Sequence, residues 1–185
     1  IACGRGNGIF NFLNKANKIV GCDIDNEQLK NLKKKFSKYK HVSFLKVKGT
    51  NFQKNNYYDL INCMHTLEHV SYEEKFLGSL YKSLKNRGNM FLEVPLLMKK
   101  PLGMPLIPSH IREYEILPLV KKLLKHKFII KKMWGRDRYF YKSIKFENKK
   151  KLNKHTFSII LFWLSKTSHN RGKIAKHRKK LKISK

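Results

Sequence analysis

Ile1-Ala2-Cys3-Gly4-Arg5-Gly6-Asn7-Gly8, followed by Lys18-Ile19-Val20-Gly21-Cys22-Asp23-Ile24-Asp25, is the stretch on which the reading of this chain turns. Glycines let a backbone bend sharply and approach a ligand closely, and a carboxylate about 20 residues further on, at a strand end, can accept hydrogen bonds from ribose hydroxyls. The pair points to a cofactor that contains adenosine. The dinucleotide pattern G-x-G-x-x-G is not met, because Ile9 stands where its third glycine belongs and Gly8 comes one residue early. The chain also opens inside the turn, so the strand that feeds it is expected to be missing or incomplete.

Outward from that turn, Ile9, Phe10, Phe12, Leu13 and Ala16 mark a helical apolar face, and Lys18–Cys22 a short buried strand. Asp25 with Gln28 three residues later is a capping-box pattern, opening a helix whose Leu29, Leu32 and Phe36 recur at helical spacing. Strands are predicted over Val42–Val47, Tyr58–Cys63 and Asn89–Pro95, with a helix over Tyr72–Leu84 and a turn at Lys85–Gly88. Pro95, Pro101, Pro105 and Pro108 punctuate an apolar loop that reads as a lid, after which Glu113–His126 resumes helical periodicity. Phe128–Trp134 and Tyr139–Phe146 are expected to form a final hairpin. Strands alternating with helices predict a mostly parallel sheet covered by helices on both faces, an α/β architecture.

The chain has 185 residues, room for one core, so we expect a domain over residues 1–150 and a basic helix and tail over 151–185. Phe157–Leu164 is apolar but far short of the roughly 20 residues a membrane span needs. It is expected either to dock as a last helix or to lie in a membrane interface with Trp163 at headgroup depth. The formal charge is +30, and residues 96–185 hold 26 Lys and Arg against four acids. That asymmetry suits an anionic partner, RNA or an anionic membrane surface, although a composition rich in lysine, asparagine and isoleucine accounts for it without a partner. Three dispersed cysteines, Cys3, Cys22 and Cys63, have neither metal-binding nor disulfide spacing, and imply free thiols in a reducing, cytoplasmic setting, with attachment to the inner membrane surface as an extension.

Four segments, in order, resemble class I S-adenosylmethionine-dependent methyltransferases. Cys3, Gly4 and Gly6 match the glycine motif D-I-G-C-G-x-G, with Ala2 replacing its first glycine. Gly49-Thr50-Asn51-Phe52 stands where many members have Gly-Asp. Asp59-Leu60-Ile61-Asn62-Cys63-Met64-His65-Thr66-Leu67-Glu68-His69-Val70 is similar to the fourth-strand motif ending in L-E-H-V of the branch that contains ubiquinone-biosynthesis O-methyltransferases. Ser109-His110-Ile111-Arg112-Glu113-Tyr114 matches a histidine-arginine segment of that branch.

The resemblance implies a Rossmann-like, seven-stranded, mostly parallel sheet and S-adenosylmethionine as cofactor. It implies Asp23 at the ribose, Gly4 and Gly6 at the methionine part, and Ile24, Thr50 and Asn51 near the adenine. Cys3 belongs to the same cofactor set, Cys63, Met64 and His65 border the reacting methyl group, and His110 and Arg112 face the substrate. Some relatives bind a divalent metal through E-x-x-E-H, which here reads His65, Glu68 and His69; hydrogen bonding within the loop is the alternative. The acceptor is expected to be a hydroxyl on a small or lipid- or glycan-linked molecule, with His65 and then His69 as candidate bases because imidazole titrates near neutrality. RNA methylation and a cofactor-binding protein without catalysis are the alternatives, the first disfavoured by the lack of an N-P-P-Y-type segment and of aromatics interleaved with the basic tail.

Overall fold

The computed structural model describes residues 1–47, 54–97, 109–136, 143–145 and 159–166, which form two compact units, Ile1–Phe52 and Gln53–Lys185. Thr50 and Asn51, the proline-punctuated loop from 98 to 108 and the basic tail beyond 166 lie outside the described residues.

In the first unit, a 3-10 turn at Asn7–Phe12 leads to β1 (Ile19–Asp23), α1 (Asn26–Lys35) and β2 (Val42–Lys46). The turn is a 3-10 segment rather than the α-helix that its periodicity suggests; six residues that bury Ile9 suffice to close it. α1 starts as the capping pattern predicts, with Asp25 Oδ1 accepting from the amides of Glu27 and Gln28 at 2.8 and 3.2 Å. Glu27 in its first turn and Lys33, Lys34 and Lys35 in its last complement the helix dipole. β1 and β2 pair in parallel from Ile19 opposite Val42 to Asp23 opposite Lys46. Leu32 and Phe36 from α1 meet Ile9 in a core that Tyr39, Val42 and Phe44 flank.

The second unit contains β3 (Tyr58–Met64), a 3-10 turn at Leu67–His69, α2 (Glu73–Ser83), β4 (Leu84–Pro95), α3 (Ile116–Lys125), β5 (Phe128–Arg136), β6 (Ser143–Lys145) and β7 (Ile159–Lys166). Its sheet has the order β3-β4-β7-β5-β6. β3 and β4 are parallel, while β7 runs antiparallel to both β4 and β5, so β3, β4 and β5 share one direction. The strand assigned here as β4 includes the predicted Lys85–Gly88 turn, where the register jumps from Leu84 opposite Tyr58 to Asn89 opposite Leu60. The described strands form a two-stranded parallel and a five-stranded mixed sheet, within the α/β architecture that the alternation predicts.

Two expectations are corrected here. Phe128–Trp134 does begin a hairpin with β6, but that hairpin does not complete the sheet, because β7 follows it and lies between β4 and β5. The apolar stretch at 157–164, expected as a helix or an interfacial anchor, supplies that strand from residue 159 onward. Eight residues rich in β-branched and aromatic side chains suit a buried strand and are too few for a stable helix. Phe162 and Leu164 are fully buried, and Trp163 donates its indole N–H to Asn89 Oδ1 at 3.0 Å. Lys166 ends the strand with its ammonium donating to Asn56 Oδ1 at 2.7 Å and the Leu84 carbonyl at 2.8 Å, and burial lowers its pKa.

A chain ending at residue 158 loses the burial of Phe162 and Leu164, roughly 3–6 kcal/mol before the ladder hydrogen bonds are counted. Because a whole domain has only about 5–15 kcal/mol of stability, the second unit is expected to lose cooperative unfolding in urea. An unchanged unfolding midpoint would instead make this segment a dispensable tail.

Candidate functional site

The first unit gathers its chemistry at the C-terminal end of β1. Ala2, Gly4 and Gly6 all adopt left-handed backbone, with φ of 48°, 47° and 77°. Gly6 is required twice over, since a Cβ there would also lie 2.5 Å from Leu32 Cδ2 and 2.9 Å from Phe36 Cε2. Beside Gly4 a Cβ would meet nothing within 4 Å, so the turn packs onto the core at Gly6 and faces open space at Gly4. Ala2 takes the left-handed conformation where the resemblance has a glycine, at a cost of roughly 1–2 kcal/mol.

Asp23 joins this turn to the strand. Its Oδ2 accepts from the Gly4 amide at 2.9 Å, and its Oδ1 from the amides of Ile24 and Asp25 at 2.8 and 3.2 Å. Three donors on a group with about four lone-pair sites leave room for a hydroxyl. Ile24, next to it, is 72% exposed, an apolar side chain presented to solvent at a strand end. Cys3 lines the turn from below, its amide donating to the Cys22 carbonyl at 3.0 Å. Burial pushes the Cys3 thiol up to about 11 and raises that of Cys22, so neither is a nucleophile at neutral pH.

In the second unit the chemistry lies just past β3. Cys63 is fully buried, with its thiol pushed up to about 11 by that burial, and Met64 is half-buried opposite Glu93. The chain then reverses at His65, whose φ of 46° is unusual for a side-chain-bearing residue. Its amide donates to the Glu93 carbonyl at 3.0 Å, while Nε2 sits 2.9 Å from Glu93 Oε1 and Nδ1 3.4 Å from Glu68 Oε1. Hydrogen bonds to Glu68 and then Glu93 raise the imidazole to about 9 against the opposing effect of burial. This environment favours the charged imidazolium, the form that donates to the two carboxylates. The sequence shows His65 but not Glu93, which lies on the neighbouring strand.

The segment from 109 to 112 is sewn onto the turn that carries Glu68 and His69. The Ile111 amide donates to the Glu68 carbonyl at 3.0 Å, and the Arg112 guanidinium reaches the carbonyls of Leu67, Val70 and Ser71. Arg112 thus clamps the backbone carbonyls of that turn. His110 is not on an open face: its side chain is 5% exposed and its ring meets that of His69 edge to face, with centroids 5.0 Å apart. Glu68, His69 and His110 place one ligand atom each within 4.8 Å of one another, whereas His65 is drawn away toward Glu93. The structure thereby replaces His65 with His110 in the cluster that sequence spacing proposes. His110, 41 residues beyond His69, has no spacing signal that links it to the turn.

Residues 1–90 match the family model of a methyltransferase domain. The protein is an S-adenosylmethionine-dependent methyltransferase, with S-adenosylmethionine as its cofactor. No curated protein matches it significantly in sequence. Among solved structures, an S-adenosylmethionine-dependent methyltransferase from Archaeoglobus fulgidus is 18% identical, with 89% of this chain and 83% of that one covered and a TM-score of 0.67. The 1,6-didemethyltoxoflavin N1-methyltransferase of Burkholderia thailandensis, solved with its substrate and S-adenosylhomocysteine, is 14% identical over 90% of this chain and 69% of its own, with a TM-score of 0.68. The [4+2]-cyclase SpnF is as similar, 15% identical over 90% of this chain and 72% of its own with a TM-score of 0.70. One fold thus houses different reactions, and these likenesses establish the Rossmann-like architecture alone.

The two glycines separate packing from ligand access. Gly6→Ala is expected to cost about 2–5 kcal/mol through the clash with Leu32 and Phe36 plus left-handed strain, and Gly4→Ala only about 1 kcal/mol through strain. Urea unfolding of the two variants checks this; equal losses would contradict the open space beside Gly4.

Proposed function

We propose that the enzyme transfers the S-adenosylmethionine methyl group to a hydroxyl of a small acceptor, free or linked to a lipid or glycan, in the manner of the quinone O-methylating branch. The observation that carries the cofactor assignment is the Asp23 carboxylate at the end of β1, held by three backbone amides beside an open glycine and an exposed Ile24. Asp23 accepts from the ribose hydroxyls, Ile24 covers an adenine face, and Cys3, Gly4 and Gly6 supply the backbone along which the methionine part lies. Thr50 and Asn51 are retained near the adenine, and Cys63 and Met64 beside the methyl group, on the resemblance alone.

Methyl transfer is an in-line displacement. A lone pair of the acceptor oxygen forms the new carbon–oxygen bond while the carbon–sulfur bond breaks, its electrons returning to sulfur to give S-adenosylhomocysteine, and the hydroxyl proton leaves. The sulfonium is already a good leaving group, so alignment and exclusion of water are the protein's main tasks. His65, charged by Glu68 and Glu93, does not remove the proton. His69 remains a candidate: its Nδ1 faces the Ser109 carbonyl at 2.9 Å, so Nδ1 carries the hydrogen and Nε2 keeps its lone pair. A small acceptor accords with the small substrate named for the Burkholderia enzyme. With the apolar segment taken into the sheet as β7, attachment to an anionic membrane rests on the lysine-rich tail alone.

Incubation with S-adenosylmethionine labelled in its methyl group, across a panel of phenolic, sugar and lipid-linked hydroxyl compounds and bulk RNA, tests this reading. Label in a hydroxyl compound is expected, with Gly4→Ala raising the KM for S-adenosylmethionine by roughly tenfold or more, since about 1.4 kcal/mol of lost contact suffices. Label in RNA alone would overturn the acceptor assignment, and S-adenosylhomocysteine binding without any transfer would leave a catalytically silent binding protein.

A further inference from the structure

We propose that α1 and the 3-10 turn beside it form a docking face for the phosphate backbone of single-stranded RNA. Lys30, Lys33, Lys34 and Lys35 on α1 and Lys38 and Lys40 just beyond it are all exposed, and the one acid of the helix is Glu27 in its first turn. Among the described residues none of the six forms an ion pair, whereas Lys85, Lys122 and Lys125 in the second unit pair with Asp59, Glu73 and Glu74. Like charges three and four positions apart, as Lys30 is from Lys33 and Lys34, disfavour a helix. The helix dipole accounts for the lysines of the last turn, and not for Lys30, Lys38 or Lys40. The face therefore carries a repulsion that its own fold does not offset and that a row of phosphates would.

Aromatic rings stand among these ammonium groups. The Lys35 ammonium lies 5.1 Å from the centroid of the Phe10 ring and 5.6 Å from that of Phe36, and it donates to the Arg5 carbonyl at 2.9 Å. The Lys38 ammonium lies 5.3 Å from the centroid of the Tyr39 ring. Phe10 is 49% exposed, an apolar ring left at the surface of the turn, and its place is set by the buried Phe36, whose centroid is 5.0 Å away. Cations for phosphates and an accessible ring for a base are the two elements that hold single strands without sequence preference. The basic tail has only the first of them, since residues 171–185 contain no Phe, Tyr or Trp. An anionic bilayer fits this face less well. The exposed residues of α1 are Asn, Glu and Lys, while its Leu29 and Leu32 are buried, so no apolar face is free to sink among acyl chains. The binding goes beyond the methyl-transfer reading above and does not depend on which acceptor is methylated.

Fluorescence anisotropy of a labelled oligouridylate, titrated with the full 185-residue chain at salt from about 50 to about 200 mM, tests the proposal. Neutralising two lysines of the face together, Lys30→Gln with Lys34→Gln, should weaken binding roughly tenfold and lower the slope of log affinity against log salt by about 1.4, or about 0.7 for each lost phosphate contact. The same charge removed from the second unit, Lys121→Gln with Lys131→Gln, should change affinity by less than about threefold. Phe10→Leu should weaken binding roughly fivefold or more and leave the slope as it was, since stacking releases no counterions. Equal losses from the two lysine pairs would assign the binding to net charge and overturn the docking face. So would a loss in the Lys30, Lys34 variant on phosphatidylserine vesicles but not on the oligouridylate, which would give the face to a membrane. In the unaltered chain, an oligomer carrying 4-thiouridine should photo-crosslink to peptides from residues 10–40. Crosslinks confined to the second unit or the tail would overturn the proposal, and this map decides alone if a variant does not fold.

Discussion

The carboxylate of Asp23 is the constraint around which the first unit is organised. It takes amide hydrogens from Gly4, on the turn, and from Ile24 and Asp25, on the exit of β1, so one side chain fixes both walls of the same corner. The turn can approach that closely because Gly6 has no Cβ to strike Leu32 and Phe36. Asp25, released from the strand, caps α1 immediately afterward, and α1 in turn supplies Leu32 and Phe36 to the core beneath the turn. Cap, core and corner are thus linked along Asp23–Phe36, and the Gly4 edge of the corner is the part that the packing leaves open.

The second unit is arranged around charge held out of water. Glu93 and Glu68 draw His65 into a left-handed reversal at the end of β3, and Arg112 spends its guanidinium on the carbonyls of the following turn. A further link holds the same region, the Leu97 amide donating to Tyr114 O at 2.9 Å and the Tyr114 amide to Pro95 O at 3.2 Å. These contacts tie β3, β4 and the segment from 111 to 114 together, with His65 and Arg112 among the groups that make them. Glu68 sits fully buried at the centre of it, its Oε1 3.4 Å from His65 Nδ1.

Much of this was legible in the residues. The turn, β1 and the cap of α1 are local features with local chemistry, and the Asp25 cap and the Asp23 corner follow from spacing. What the sequence could not show depended on neighbours across the sheet. The shift of His65 comes from Glu68 and then from Glu93, and Glu93 is opposite Met64 only once β3 and β4 pair. His110 joins His69 only because the segment from 109 to 112 lies against the turn. Ile159–Lys166 misled for a different reason: a short apolar run flanked by lysines has the same composition as an interfacial segment, and only its pairing with β4 and β5 makes it a strand.

The central claim is that the Asp23 corner is built for an adenosyl cofactor, and calorimetric titration of S-adenosylhomocysteine into the folded chain tests it most directly. The account predicts saturable one-to-one binding, weakened by Asp23→Asn on the order of tenfold or more, as expected for loss of a charge-assisted hydrogen bond to ribose. No binding to the folded chain, or equal affinity in the Asp23→Asn variant, would contradict it.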